Sequence, residues 1–271
     1  MKQTFKTIIP TPLWNFARDT IDSIRRLPQL PAAYLHPWRR ESIRRLADLK
    51  DIHKGKRAFI IGNGPSLKQT DLTKLKNEFT FGMNRFYMFF PELGFATSYF
   101  CSINDLVIEQ FSNDILALPM PTFLAWRSHR HFSPQLPVSQ IPTFIYTSYT
   151  GPRMASDVTG RVWEGATVTN FALQIAFHMG FEKVVLIGVD HNFASKGDAN
   201  KTVVSEGDDP NHFMPNYFGK GVKWQLPDLD TSEVGYIMAR EAYRKSGREI
   251  VDATVGGKLT VFPKVDYNSL F

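Results

Sequence analysis

The chain reads as an α/β protein: a Rossmann-like, mostly parallel sheet flanked by helices, preceded by a helical N-terminal extension. Three observations predict it. Short runs rich in Phe, Val and Ile recur from Arg57 onward: RAFIIG, FTFGMN, SYFCSI, TFLAW, TFIYT, KVVLIGVD and EIVDAT. Between some of them lie NDLVIEQFSNDILAL, ATVTNFALQIAFHMG and TSEVGYIMAREAYRKSG, whose apolar residues fall three to four apart, as on a helix. KVVLIGVD is apolar almost without a break, which suits a parallel strand covered on both faces.

Taken from the amino end, residues 1–56 form the extension, in two helical pieces parted by the proline-rich LPQLPAAYLHPW. Leu13, Trp14, Ala17, Ile21, Ile24 and Leu27 line one stripe of the first piece, with Arg18, Arg25 and Arg26 elsewhere on its surface. Ile43, Leu46 and Leu49 do the same in the second. Residues 57–271 form the α/β domain. In such sheets ligands sit beyond the carboxyl ends of the strands, so the residues just after each strand are the ones to read for function.

Charge and composition narrow the classes. The 271 residues are 43% hydrophobic and 21% charged, an ordinary globular balance. The net charge of +6 is uneven: residues 1–57 hold 13 Lys/Arg against 5 Asp/Glu, the remainder 19 against 21. A basic excess confined to the front argues against a nucleic-acid enzyme, whose basic surface surrounds its site. The same front could rest on anionic lipid, or its apolar stripes could pack on the core. No apolar run is long enough to span a bilayer, and no signal peptide is read at the start. Cys101, the single cysteine, cannot form an internal disulfide, which fits a reducing cytoplasm. The expected location is therefore cytoplasmic, with peripheral contact on the inner membrane face open.

Three strand-like runs end in an asparagine: Asn63, Asn84 and Asn104. At one sheet edge they would converge on a common crevice, where amides suit ribose hydroxyls, base edges and phosphate oxygens. The first lies in Gly62-Asn63-Gly64-Pro65-Ser66. There glycines would allow close approach of a ligand and successive amides would cradle its oxygens, with Ser66 and Gln69 forming a capping box. The turn has neither the lysine of a Walker loop nor the GxGxxG spacing.

GNGPSL followed by GMNRFY resembles two related groups, the 6-hydroxymethylpterin diphosphokinase MptE-like family and the bacterial Cst-type sialyltransferases. WEGATVTNFALQIAFHMGFEKVVLIGVDHNF is similar to the sialyltransferases' hydroxyl-bearing loop, helix and strand. EIVDATVGGKLTVFPKVD resembles the last strand and loop of the MptE-like group. The resemblance spans most of residues 57–267. It implies that Asn63, Asn84 and Asn104, with Gly188, hold a nucleotide, and that Thr167 and Thr169 at a helix start meet its phosphate. It also exposes departures. No tyrosine matches those that steady the departing phosphate, and Thr231 to Glu233 stand where a catalytic histidine is expected. The kinases' acidic fingerprint is reduced to SINDLV, leaving Asp105 and Asp190 as the two carboxylates that could hold magnesium.

For the chemistry, the candidates are Asp190, His212 and Glu233. His212 lies in the long, aperiodic DDPNHFMPNYFGKGVKW, and histidine as a residue type suits a base that deprotonates a sugar hydroxyl. Glu233 occupies the position where the resembling enzymes keep their base. Arg153 and Arg161 could clamp an acidic sugar or a diphosphate. His129 and His131 lack the companions of a zinc site.

The favoured expectation is a nucleotide-dependent glycosyltransferase. It would move a sialic-acid-like sugar from a CMP-sugar donor to a surface-glycan acceptor, with no cofactor or metal required. One alternative is a diphosphokinase of 6-hydroxymethylpterin using Mg-ATP. Another is a catalytically silent nucleotide-binding or membrane-adaptor protein. Sequence leaves the oligomeric state open.

Overall fold

The computed structural model describes residues 17, 20, 21, 23–195, 197–207 and 209–271. Leu13, Trp14 and Arg18 lie outside them. All seven expected strands form, as β1 (Arg57–Ile61), β2 (Phe79–Met83), β3 (Tyr99–Ser102), β4 (Thr122–Ala125), β5 (Thr143–Ser148), β7 (Lys183–Ile187) and β10 (Glu249–Asp252). Three further strands are β6 (Arg161–Trp163), β8 (Thr202–Val204) and β9 (Lys223–Gln225). Eight make one sheet in the order β10-β7-β1-β2-β3-β4-β5-β6, with every neighbouring pair parallel. β8 and β9 form a separate antiparallel ribbon.

Among the described residues after 29, the α-helices are α1 (Leu30–Leu35), α2 (Pro37–Asp48), α3 (Phe90–Leu93), α4 (Asp105–Leu116), α5 (Val168–His178) and α6 (Leu229–Lys245). Successive residues of a strand face opposite sides, so β1 divides its apolar residues between two cores. Ala58 and Ile60 join Phe171, Ile175 and Tyr243 of α5 and α6. Phe59 and Ile61 join Leu67, Phe213, Tyr217 and Trp224. α5 is buried along nearly its whole length, and its polar Asn170 and Gln174 are satisfied by bonds to the Trp163 carbonyl at 3.1 and 2.8 Å.

α2, the second basic piece of the front segment, packs on the sheet. Trp38 stacks on Phe144 of β5 with ring centres 6.0 Å apart. Ser42 Oγ accepts the Phe144 N–H at 2.9 Å and donates to the Trp38 carbonyl at 2.7 Å. Arg45 donates to the Ile141 and Val138 carbonyls at 2.8 and 2.7 Å. The first piece differs: Ile21, Ile24 and Leu27 are 50%, 60% and 59% exposed.

The strand order sets the position of the site. From β1 the chain winds one way through β2 to β6, then returns to the other flank of β1 as β7 and β10. The reversal leaves a crevice beyond the carboxyl ends of β1 and β7.

Candidate functional site

A cleft of about 240 Å³ opens at that point. Asn63, Asn84 and Asn104, from the ends of β1, β2 and β3, all line it. Their partners determine which end of each amide is left over. Asn63 Nδ2 donates to the Met83 carbonyl at 3.1 Å, which leaves Oδ1 buried and without a partner. Asn104 Oδ1 caps α4, accepting from the N–H groups of Leu106 and Val107 at 3.1 and 3.4 Å. Asn84 Oδ1 accepts from Ser102 Oγ at 3.0 Å. The rim therefore offers one acceptor from Asn63 and amide donors from Asn84 and Asn104.

Backbone strain gathers at the same place. Of the five described non-glycine residues with a left-handed φ, four line the cleft: Asn84 at 54°, Ala166 at 54°, His191 at 53° and Asn200 at 63°. Such conformations cost free energy for residues with a Cβ and persist where the surroundings impose them, often at ligand sites.

The Gly62–Ser66 turn serves differently from the sequence expectation. Gly62 N–H donates to the Ile187 carbonyl at 2.7 Å and Gly64 N–H to that of Gly188 at 2.9 Å. Ser66 N–H and Oγ both donate to the Asp190 carboxylate, at 3.1 and 2.7 Å. These amides are spent on β7 and its following turn, and Pro65 has no N–H, so the turn cannot cradle an anion with them. Nor does Ser66 form a capping box: the residue preceding the short 3₁₀ turn is Gly64. Close approach does explain the glycines, but the approaching group is the protein itself. A Cβ at Gly62 would fall 2.1 Å from the Gly188 carbonyl oxygen, and one at Gly64 1.8 Å from Asp190 Oδ2. Gly62, Gly64, Gly188 and Asp190 line the cleft; Pro65 and Ser66 stand behind it.

Across the cleft, Thr167 precedes α5 and its Oγ1 accepts the Thr169 N–H at 3.2 Å. Both threonines line the cleft. Tyr236 of α6 also lines it, with its hydroxyl 3.4 Å from Thr167 Oγ1, so a phenol reaches this helix start from a part of the chain that alignment by motif does not reveal. Burial pushes that phenol's pKa up, keeping it a neutral donor.

Two carboxylate–histidine pairs border the cleft. His212 lines it, with Nδ1 2.8 Å from Asp209 Oδ2 and its ring stacked on Tyr217 at 4.0 Å. A carboxylate at Nδ1 favours the tautomer whose Nε2 can accept a proton. His191 also lines the cleft and its Nε2 meets Glu233 Oε1 at 3.0 Å. Glu233 itself is not part of the lining; its carboxylate is turned to His191, which arrives from the turn after β7.

Two other expectations fail on placement. Arg153 and Arg161 line a separate hollow beside Tyr34 and Tyr146, away from the cleft. Arg161 opens β6 level with Tyr146 in β5, and its guanidinium donates to Ser148 Oγ at 2.9 Å. Asp105 begins α4, turned from the cleft toward Ser128 Oγ at 2.8 Å, His131 at 3.0 Å and Arg130. Burial alone would raise the pKa of Asp105, but the bonds from Ser128 and His131 and the charge of Arg130 hold it below its ordinary value. It does not pair with Asp190, and no group of three or more metal-ligating side chains is found among the described residues.

The arginine at the cleft is Arg127, directly after β4, where the strand-end rule applied to TFLAW would have found it. It pairs with Glu164, which is 2% exposed, and lies over the Tyr149 ring at 4.6 Å. Burial works against the Arg127 charge, yet Glu164, Tyr149 and Asp105 together outweigh it and raise the guanidinium pKa. Glu164 follows β6, a strand too short to register in the sequence.

No curated protein matches the chain. Among solved structures, the MAf glycosyltransferase from Magnetospirillum magneticum AMB-1 is similar at 18% identity and a TM-score of 0.43, over 86% of this chain and 39% of that one. The chain thus spans well under half of that protein's length, and the likeness is too distant to assign a function. The model of one family matches residues 38–196, from α2 through the turn after β7 and so across most of the sheet and the asparagine rim. On that match the chain belongs to the 6-hydroxymethylpterin diphosphokinase MptE-like family.

Proposed function

We propose that the protein is a nucleotide-dependent transferase that takes a sialic-acid-like sugar from a CMP-sugar and passes it to a surface-glycan acceptor. The observation that supports this reading is the asparagine rim. One unpaired buried acceptor and two amide donors meet at the sheet's switch point, and neutral amides of that kind match a nucleoside's hydroxyls and base edge. In this reading Asn63, Asn84 and Asn104 hold the nucleoside. Thr167, Thr169 and the start of α5, with the Tyr236 hydroxyl, receive the phosphate that departs as CMP. His212 Nε2 takes the proton of the acceptor hydroxyl while that oxygen bonds to the anomeric carbon and the carbon–phosphate oxygen bond breaks. Asp209 holds the ring through Nδ1.

The name of the family favours a second reading, a diphosphokinase acting on 6-hydroxymethylpterin with Mg-ATP. That reading needs carboxylates on the metal, and the engagement of Asp105 by Ser128, Arg130 and His131 counts against it. A silent nucleotide-binding protein is the third. Calorimetry separates them. Metal-independent binding of CMP, with donor turnover that falls about 10²- to 10⁴-fold in His212→Ala, is the expected result. Binding of Mg-ATP together with the pterin, and none of CMP, would overturn the reading in favour of the kinase. CMP binding without turnover of any CMP-sugar would leave the silent one.

We extend the proposal to location: a cytoplasmic enzyme whose first segment rests on anionic lipid. The exposed Ile21, Ile24 and Leu27 and the basic excess of residues 1–57 support it. No helix among the described residues is long and apolar enough to cross a membrane. Deleting residues 1–29 should abolish co-sedimentation with vesicles containing phosphatidylglycerol; unchanged pelleting would refute the contact.

A further inference from the structure

The second sequence motif, Gly82-Met83-Asn84-Arg85-Phe86-Tyr87, contains a residue that the nucleotide site does not use. Arg85 is 8% exposed, and no ion pair between it and a carboxylate is found among the described residues. Its Nε is buried without a partner. A buried guanidinium left this way is costly, so what it does hold is informative. It holds Tyr217 at both ends. The Arg85 backbone N–H donates to the Tyr217 hydroxyl at 3.1 Å, and Nη1 donates to the Tyr217 backbone carbonyl. The guanidinium lies over the Phe111 ring at 3.9 Å, which keeps it from swinging away.

Tyr217 has no exposed surface, and its ring lies flat against His212, with centres 4.0 Å apart and planes 9° apart. The turn carrying His212 is gripped by the same motifs elsewhere. Phe213 N–H donates to the Asn63 carbonyl at 2.9 Å. The Phe213 ring packs on Phe86 and Phe89 at 5.7 and 5.3 Å. The turns after β1 and β2 thus supply a seat for one short segment, and the histidine stands in the middle of it.

We propose that Arg85 is a positioning residue for His212. By clasping Tyr217 it sets the plane of the imidazole, so that Nδ1 stays on Asp209 and Nε2 is presented to the cleft. The inference rests on the reading of His212 as the base. Arg85 is not part of the cleft lining, and its effect passes through the Tyr217 ring.

The test uses the full chain labelled with ¹⁵N-histidine, alongside turnover of a CMP-sugar. In the wild type, His212 should show a protonated Nδ1 and a bare Nε2. Arg85→Met should blur that signature into a mixture of tautomers and lower kcat about 10- to 100-fold. CMP affinity and KM for the donor should stay within about twofold. Arg85→Lys, which can still donate to the Tyr217 carbonyl, should recover part of both losses. If Arg85→Met does not fold, Tyr217→Phe and Tyr217→Leu replace it. The first keeps the stacked ring and should keep the signature; the second removes the ring and should lose it. An unchanged nitrogen signature in folded Arg85→Met or Tyr217→Leu would overturn the proposal. A wild type that turns over no CMP-sugar would remove the functional reading, while the nitrogen spectra would still decide whether Arg85 sets the ring.

Discussion

Asn63 commits one end of its amide to the Met83 carbonyl and leaves the other end buried and unpaired. An unmet acceptor is destabilising in the free protein and becomes useful only when a donor arrives. Asn63→Ala should therefore weaken CMP binding about tenfold or more. It should move folding stability by no more than about 1.5 kcal/mol, because it removes an orphan oxygen as well as a hydrogen bond. Calorimetry and urea unfolding measure the two; equal CMP affinity in the variant would remove Asn63 from the site. Gly64→Ala should behave in the opposite way, costing about 1–3 kcal/mol of stability, since the new methyl would meet Asp190 Oδ2 and the Gly188 carbonyl. A variant with wild-type stability would show that the turn yields. The asparagines were legible in sequence because each closes an apolar run. The function of the glycines was not, because only the sheet order reveals that Gly188 and Asp190 press against them.

At the scale of elements, long buried strands announce themselves as continuous apolar runs, and α5 and α6 as helical spacing. β6, β8 and β9 hold three residues each, too few for an alternation to register, and β8 and β9 are largely exposed as well. Missing β6 meant missing Glu164, and with it the pair that holds Arg127 at the cleft. The loop from Glu164 to Thr167 carries two consecutive left-handed residues, Gly165 at 58° and Ala166 at 54°. Only the glycine adopts that conformation without penalty. Ala166→Gly should raise stability by up to about 1 kcal/mol by relieving it, as read by urea unfolding. A loss of stability would mean that the alanine methyl contributes more by packing than its backbone costs. Helix spacing alone also left open whether the front helices rest on the core; Ser42 and Arg45 answer it for α2 by bonding the chain at and just before β5.

For the molecule as a whole, buried phenols set a limit on the alkaline side. Burial pushes the pKa values of Tyr217, Tyr236 and Tyr243 up. In the unfolded chain they ionise near their ordinary value of about 10, whereas folded they hold their protons to higher pH. The unfolded state then binds fewer protons than the native one, so this stability is complete below about pH 10 and is lost as pH climbs further. Urea unfolding at pH 8, 10 and 11 should show a progressive fall over the last step, and a flat profile would contradict the burial of these rings. The order of the strands also has a bearing on how the chain is made. β1 is flanked by β7, and Arg57 lies opposite Lys183. While a ribosome is still adding β2 to β6, one side of β1 has its hydrogen-bonding groups and apolar residues open to any passing strand. That vulnerability ends only when β7 emerges, and the crevice at their tips comes into being in the same step. A nascent chain stopped before Lys183 would thus be prone to aggregate and would lack the cleft at once.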